Sequence, residues 1–253
     1  MLTTEQRTAY DRDGYVVIDG FLTANSIAAA KADIAALLDR VRSQTVDQGG
    51  VNLEKVGDAS LDWGAAVKRP GMVRKVQGAV FELPAVRSIL CGPQMIAAAA
   101  ACIGPVVHYH SSKAMLKPAR GGAPKPWHQD AAYWPDDATD QVTAWIALDD
   151  AGIDNGCVWA IPGSHQLGLL PHQGKELQIE AAKIAADRAV PVPVRPGGLL
   201  LFHALVLHMS HRNDSDRDRW ALIGDYDPRP NPALDAQGRR VEGMDERGVW
   251  RLA

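Results

Sequence analysis

Between residues 105 and 227 the chain alternates short runs of β-forming residues with turns rich in proline and glycine. This pattern restricts the possible folds more than any other feature of the sequence. The β-type runs lie at 106–115, 141–148, 157–161, 189–194, 198–208 and 219–226. Several short strands with turn residues between them predict a sandwich or barrel. We find no internal repeat in the sequence.

The residues before this region carry a largely helical pattern. The spacing of apolar residues predicts helices at 6–12, 26–41, 83–90 and 94–103. A short β-rich run at 15–18 interrupts them. Residues 43–72 are rich in glycine, aspartate and serine and are predicted to form a loop.

A chain of 253 residues is long enough for one large domain. We expect a single domain, mainly β with flanking helices. Its parts are a largely helical stretch at 1–104, a β core at 105–227, and polar residues 228–253 as a tail or flap.

Composition narrows the class of protein. Hydrophobic residues make up 46% of the chain and charged residues 23%, which excludes a disordered or fibrous protein. With 27 basic and 30 acidic residues the net charge is -3, so no nucleic-acid partner is expected.

Cys91, Cys102 and Cys157 have no paired spacing, which is typical of a protein in a reducing compartment. No signal segment or bilayer-length apolar run occurs, and we expect a cytoplasmic protein without membrane contact.

The motif Trp127-His128-Gln129-Asp130 places an imidazole and a carboxylate two residues apart. On an extended segment such side chains point to the same side. His128 and Asp130 can therefore offer a nitrogen and an oxygen to one metal ion. The alternative is a simple hydrogen bond at a strand end, which such a pair also allows.

A second candidate ligand lies in the apolar run from Gly197 to Ser210, which is predicted to be one continuous strand. Alternation along it places His208 and Ser210 on one face, and His203 and His211 on the other. His208 could complete a set of two histidines and one carboxylate, which is typical of non-haem Fe(II) oxygenases. Taken alone, His208 could equally be a hydrogen-bonded residue at a strand end.

Arg219 begins the next apolar run, eleven residues after His208. The turn sequence 213–216 between them predicts that His208 and Arg219 lie on adjacent antiparallel strands. An arginine there can bind a carboxylate in bidentate fashion beside the metal. A surface arginine is the alternative.

These residues together resemble the phytanoyl-CoA dioxygenase family of Fe(II)- and 2-oxoglutarate-dependent oxygenases. The resemblance spans roughly residues 10–226. It rests on the motif at 127–130, Trp145, the segments 155–157 and 161–165, and the stretch 197–226. It implies a double-stranded β-helix, the cupin-like jelly roll, with N-terminal helices packed outside.

The resemblance also implies site residues and chemistry. Fe(II) would be held by His128, Asp130 and His208, and the distal carboxylate of 2-oxoglutarate by Arg219. Further cosubstrate-binding residues by position are Ser210, Trp145 and Lys75. The implied reaction consumes 2-oxoglutarate and O2, releases succinate and CO2, and hydroxylates an unactivated C–H bond of a small-molecule substrate. In related halogenases a small residue replaces the carboxylate ligand, so Asp130 favours hydroxylation.

Other residues are weaker candidates. His108 and His110 alternate along the run at 106–115 and are candidates for the substrate cavity, and Tyr133 and Trp134 for its mouth. His165 lies in a turn and is expected to be structural. Two alternative functions stay open: a cupin-like metalloenzyme that does not use 2-oxoglutarate, and a non-catalytic sensor or binding module.

Overall fold

Two antiparallel sheets form the centre of the protein in the computed structural model, which describes residues 2–55, 67–134, 139–174, 177–230 and the backbone of 249–251. Seven strands of the major sheet follow one another in space: β1 (Tyr15–Ile18), β9 (Leu199–His203), β6 (Val142–Ala147), β11 (Arg219–Asp227), β4 (Val106–Lys117), β3 (Lys68–Gln77) and β2 (Val51–Lys55). β12 (Val249–Arg251) pairs with the start of β4 as the eighth strand. The minor sheet has the order β5 (Lys125–His128), β10 (His208–Ser210), β7 (Val158–Ala160) and β8 (Val190–Val192).

In the described part of the chain before β4, the α-helices are α1 (Thr4–Asp13), α2 (Ala24–Val41), α3 (Ala79–Glu82), α4 (Pro84–Leu90) and α5 (Pro93–Ile103). Short 3₁₀ helices lie at Asp130–Tyr133, Ser164–Leu167, Ala181–Lys183 and Ala186–Arg188. α1 begins with a capping box between Thr3 and Gln6, and ends at Gly14, whose φ of 83° suits glycine. Of the described helices none alone is long and apolar enough to cross a membrane, and only the bent pair α4–α5 passes that test jointly.

The major sheet has two apolar faces, because it packs on both sides. Ala144 and Ile146 of β6 contact the helices, while Trp145 and Ala147 belong to the core between the two sheets. In β9, likewise, Leu201 belongs to the core beside the helices and Leu200 to the core between the two sheets. The cavity described below lies between the sheets, on the face away from the helices.

The predicted continuous strand at 198–208 is wrong. β9 ends at His203, and β10 begins at His208 in the other sheet. The chain turns between them, with the N–H of Val206 donating to the carbonyl of His203 at 2.9 Å. The residues of this turn are apolar and buried, so the sequence pattern continues through a change of sheet.

The predicted pairing of His208 with Arg219 on adjacent strands is also wrong. β10 pairs with β5 and β7, whereas β11 pairs with β4 and β6. The turn at 213–216 therefore connects strands of different sheets. Both side chains nevertheless line the same cavity.

The predicted loop at 43–72 is wrong for two segments, which form β2 and the first part of β3. These strands contain charged residues, Pro70 and Gly71, and so lack a local β signal. Tertiary pairing stabilises them instead, since Val76 faces Val51 on one side and Ala114 of β4 on the other. The part of this prediction at 56–66 lies outside the described residues.

Candidate active site

Three buried side chains converge at the edge of the cavity. His128 is the last residue of β5, and Asp130 follows after Gln129, whose extended backbone (φ -118°, ψ 134°) directs both side chains to the same side. His208 begins β10 and is the direct cross-strand partner of His128. Local spacing thus supplies two of the three groups, and strand pairing supplies the third.

The three groups have the separations of a metal site. His128 Nε2 lies 3.5 Å and His208 Nε2 3.8 Å from Asp130 Oδ1. The potential ligand atoms all lie within 4.8 Å of one another. Two imidazoles and one carboxylate on one side of an ion leave other coordination positions open, as in non-haem iron oxygenases.

Hydrogen bonds hold both imidazoles in the orientation that a metal requires. His128 Nδ1 lies 2.9 Å from the carbonyl oxygen of Pro126, and His208 Nδ1 lies 2.9 Å from that of Val206. Each Nδ1–H donates to its carbonyl, so Nε2 is the ring atom that faces Asp130 and is available to a metal. Burial lowers the pKa of His128 to about 3, which keeps this ring neutral and able to bind metal.

Asp130 is ionised despite its burial. Burial disfavours the carboxylate, but His208, His128 and Lys113 outweigh it and hold the pKa of Asp130 below its ordinary value. A carboxylate beside two imidazoles suits a divalent cation.

Gln129 anchors the motif from its middle position, and the sequence analysis assigned it no role. Its backbone N–H donates to His172 Nε2 at 3.0 Å, and its side-chain Nε2 donates to the carbonyls of Gly168 and Leu205 at 2.8 Å each. Its Oε1 accepts from the N–H of Leu170 at 2.8 Å. A fully buried amide with these partners fixes the backbone that carries both ligands.

Thr143 and Asp225 lie behind Asp130 and were also missed. Thr143 Oγ1 is 2.8 Å from Asp130 Oδ2 and 3.1 Å from Asp225 Oδ1. Asp225 is fully buried and also accepts hydrogen bonds from Ser111 Oγ and Lys113 Nζ. The sequence places a polar Thr143 within an apolar strand, and this is the one local signal that could have revealed it.

We expect Thr143→Val to weaken metal binding by roughly 10- to 100-fold, because loss of an outer hydrogen-bond partner releases the ligating carboxylate. Thr143→Ser keeps the hydroxyl and should stay within a few-fold of the parent protein. Anaerobic titration with Fe(II) or Co(II) measures both. Equal metal affinity in the valine variant would show that Thr143 does not orient Asp130.

Arg219 is a buried cation at the other end of the cavity. It is 3% exposed, its guanidinium carbon lies 5.3 Å from the centre of the Trp145 ring, and its Nε has no hydrogen-bond partner. Within the described ranges it forms no salt bridge. Burial lowers the pKa of Arg219 to about 10. An uncompensated buried guanidinium facing a cavity fits the carboxylate of a ligand.

The cavity has a volume of about 490 Å³ and contains most of the predicted site residues. The three metal-site residues and Arg219 line it, together with Ser210, Trp145, Lys75, Tyr133 and Trp134. His108 and His110 are not in this lining. His108 is buried opposite Asp227, and His110 packs edge-on against Trp134 with ring centres 4.9 Å apart.

The sequence of residues 10–221 matches the model of the family described as phytanoyl-CoA dioxygenase. The chain belongs to this family. The resemblance noted from the motifs is thereby confirmed over most of the chain. The metal-site residues lie within the matched region.

Individual relatives are similar along most of their length. Mouse phytanoyl-CoA dioxygenase domain-containing protein 1 is 30% identical over 87% of this chain and 88% of its own length. A Stutzerimonas stutzeri protein named "Probable alpha-ketoglutarate-dependent hypophosphite dioxygenase" is 28% identical, over 87% of this chain and 77% of its own.

The solved structure of SnoK, a non-haem alpha-ketoglutarate-dependent carbocyclase of nogalamycin biosynthesis, covers 100% of this chain and 97% of its own, with a TM-score of 0.74 and 23% identity. This likeness confirms the predicted jelly-roll fold with N-terminal helices. Family, fold and the His128–Asp130–His208 site together support the class of non-haem iron, 2-oxoglutarate-dependent oxygenases.

Proposed function

We propose that this protein hydroxylates an unactivated C–H bond of a small-molecule substrate while converting 2-oxoglutarate and O2 to succinate and CO2. The observation that carries this proposal is the pairing, in one cavity, of the His128–Asp130–His208 site with the uncompensated guanidinium of Arg219. A ligand with one end on a metal and a carboxylate at the other would satisfy both.

Each residue has a separate task in this proposal. His128, Asp130 and His208 hold Fe(II), and Arg219 binds the distal carboxylate of 2-oxoglutarate. Ser210 follows His208 by two residues on β10 and lines the cavity, where it would bind the same carboxylate. When bound, the iron and the cosubstrate supply the oxidising chemistry, and the protein supplies orientation.

The remaining cosubstrate residues form a wall of the cavity. Trp145 lies under the Arg219 guanidinium and keeps water from one side of it. Lys75 on β3 pairs with Met115 of β4 and lines the same cavity. Excluding water strengthens the ion pair between Arg219 and its carboxylate.

Asp130 favours hydroxylation over halogenation. Its carboxylate occupies the ligand position that the related halogenases leave open for halide. The hydrogen bond from Thr143 to the second oxygen of Asp130 keeps this ligand in place. Tyr133 and Trp134, in and directly after the 3₁₀ helix that Asp130 begins, would contact the substrate.

We also propose that the whole chain acts as one domain. The major sheet takes strands from both the N-terminal part and the β core, since β1 pairs with β9 and β3 with β4. β12 adds residues from the C-terminal part.

The test is turnover of the iron-loaded protein with 2-oxoglutarate, O2 and a panel of small-molecule candidates. We expect slow succinate release without substrate, faster release with the correct one, and one oxygen atom from isotopically labelled dioxygen in the product. Succinate release together with a product that gains no oxygen would indicate desaturation or ring formation instead of hydroxylation.

No succinate release, with Fe(II) bound, would favour a cupin-like enzyme that does not use 2-oxoglutarate. Arg219 argues against this alternative, because nothing in the described part of the chain neutralises its charge. Failure to bind Fe(II) at all would favour a non-catalytic binding module. The complete, oriented metal-site residues argue against that module.

A further inference from the structure

The inward face of the major sheet carries charged residues at two separate levels. On β4 the cavity-lining residues Ser111, Lys113, Met115 and Lys117 alternate along the strand. The register places Lys117 opposite Arg219 of β11, and Lys113 opposite Ile223. The two lysines are four positions apart on the strand, which corresponds to about 13 Å.

The Arg219 end of the cavity is assigned to the cosubstrate by the proposed function. Lys117, which lies opposite Arg219 at this end, already donates hydrogen bonds to backbone carbonyls. Its Nζ donates to the carbonyl of Ala123 at 3.0 Å and to that of His211. Burial, with Arg219 and Arg74 nearby, lowers the pKa of Lys117 well below its ordinary value. Lys117 is therefore a poor anion-binding group.

The Lys113 end has a different character. Lys113 Nζ lies 3.2 Å from Asp225 Oδ2, and its side chain is 22% exposed within the cavity. Burial alone would lower the pKa of Lys113, but Asp225 and Asp130 raise it above its ordinary value. An ammonium has three N–H donors, and within the described ranges Asp225 accepts the only hydrogen bond of this one.

Asp225 holds this ammonium near the metal site. Three contacts connect them: Lys113 Nζ to Asp225 at 3.2 Å, Asp225 to Thr143 at 3.1 Å, and Thr143 to Asp130 at 2.8 Å. Asp225 also accepts from Ser111, so its carboxylate cannot turn away without losing hydrogen bonds. The ammonium is thus fixed beside the metal site, and its strand position is four residues from the level of Arg219.

The charge of the cavity favours an anion there. The described lining contains five lysines and two arginines, against two aspartates and one glutamate. The charges of Fe(II) and the 2-oxoglutarate dianion cancel, so the loaded cavity keeps this positive excess, reduced by the Asp225 carboxylate behind Lys113.

We propose that Lys113 binds an anionic oxygen group, carboxylate or phosphoryl, of the primary substrate. This inference rests on the proposed function and adds the class of substrate to it. Asp225 acts as a positioning residue for the ammonium. Because a chain of only two side chains, Asp225 and Thr143, connects Lys113 to Asp130, we expect the oxidised carbon to be a few bonds from the anionic group.

The test uses the anaerobic protein loaded with Fe(II) and saturated with 2-oxoglutarate. Acetate and methylphosphonate are titrated as probes of the two anion types, with neutral acetamide as the control. Binding is followed through the metal-to-ligand absorption band and by thermal shift. We expect saturable binding of at least one anion and none of acetamide.

Lys113→Met should weaken anion binding roughly 10- to 100-fold, the usual effect of losing a charged hydrogen bond. Lys113→Arg should retain most of it. The matched control is Lys68→Met, since Lys68 also lines the cavity but forms an ion pair with Asp47 at 2.9 Å. This control should leave anion binding unchanged within a few-fold.

A second variant separates binding from folding. Lys113→Met leaves Asp225 buried without its cation, so the double variant Lys113→Met/Asp225→Asn removes both charges together. The double variant should fold, as judged by circular dichroism, and should still show weakened anion binding. Anion affinity equal to that of the parent in this variant would overturn the inference.

Two further outcomes would also overturn it. Anions that bind only by displacing 2-oxoglutarate would occupy the Arg219 end instead, and absence of anion binding to the 2-oxoglutarate complex would exclude a site at Lys113. If 2-oxoglutarate itself does not bind the parent protein, the proposed function fails first, and the absorption band reveals this before any anion is added.

Discussion

His208→Ala is expected to abolish metal-dependent succinate release and to reduce Fe(II) binding below detection. Only His128 and Asp130, from one short segment, would remain, and the facial set would lose one of its three protein ligands. The remaining His128 ring would also lose its neighbour, whose centre lies 4.1 Å away. Anaerobic Fe(II) titration and a succinate assay measure the two losses.

The matched control for this variant is His211→Ala. His211 follows β10, is exposed, and packs edge-on against Trp159 with ring centres 5.3 Å apart. Its removal should leave Fe(II) affinity unchanged. Activity that survives in His208→Ala but is lost in His211→Ala would show that the wrong histidine has been assigned to the metal.

Arg219→Ala is expected to weaken 2-oxoglutarate binding by roughly 30-fold or more, since truncating one partner of a buried charge pair costs about 2 kcal/mol or more. Arg219→Lys should restore part of the affinity, because lysine keeps the charge but lacks the planar fork. Fe(II) affinity should hardly change, as Arg219 is not among the metal-site residues. Titration of 2-oxoglutarate into the anaerobic Fe(II) protein, followed by the metal-to-ligand band, measures all three proteins.

In the ligand-free protein, the same variant is expected to have no destabilising effect. Burial lowers the pKa of Arg219 to about 10 against 12.5 in water, and both values lie above neutral pH. At pH 7 the arginine is charged when folded and when unfolded, so the full cost of burying it is present. Arg219→Ala should therefore keep or raise the melting temperature of the ligand-free protein while losing the stabilisation by 2-oxoglutarate.

That stabilisation is measurable in the parent protein. A ligand that binds only the native state adds about 2.7 kcal/mol at a hundredfold excess over Kd. For a chain of this length this corresponds to a shift of several degrees. If Arg219→Ala shows the same shift and the same 2-oxoglutarate affinity as the parent, the cosubstrate assignment fails and the cupin-like alternative becomes the leading one.

The parts of the site that depend on local spacing could be predicted from the sequence alone. His128 and Asp130 face the same way because one extended residue separates them, and this holds in any fold that keeps Gln129 extended. The class of fold was also readable, because short β runs between proline and glycine turns have few stable arrangements. The identity of the third ligand and of Arg219 followed from the family resemblance.

The sheet that each strand enters could not be predicted from the sequence, because it depends on contacts between distant residues. The apolar residues of β9 and those of the turn between His203 and His208 are equally buried, so their pattern does not mark the point where the chain leaves one sheet for the other. β2 and β3 lack a local β signal and depend on strand pairing, β2 with β3 and β3 with β4. Such pairing energy comes from residues distant in sequence, and no local pattern records it.

The groups around the metal site depend on tertiary structure for the same reason. Lys113, Thr143 and Asp225 come from three different strands, β4, β6 and β11, and meet only through the register of the major sheet. His172 reaches Gln129 across 43 residues of chain. Residues so far apart in sequence show no local pattern that would predict their contact. In the folded protein they are buried, and a buried polar group without a hydrogen-bond partner is costly, so these groups pair with one another.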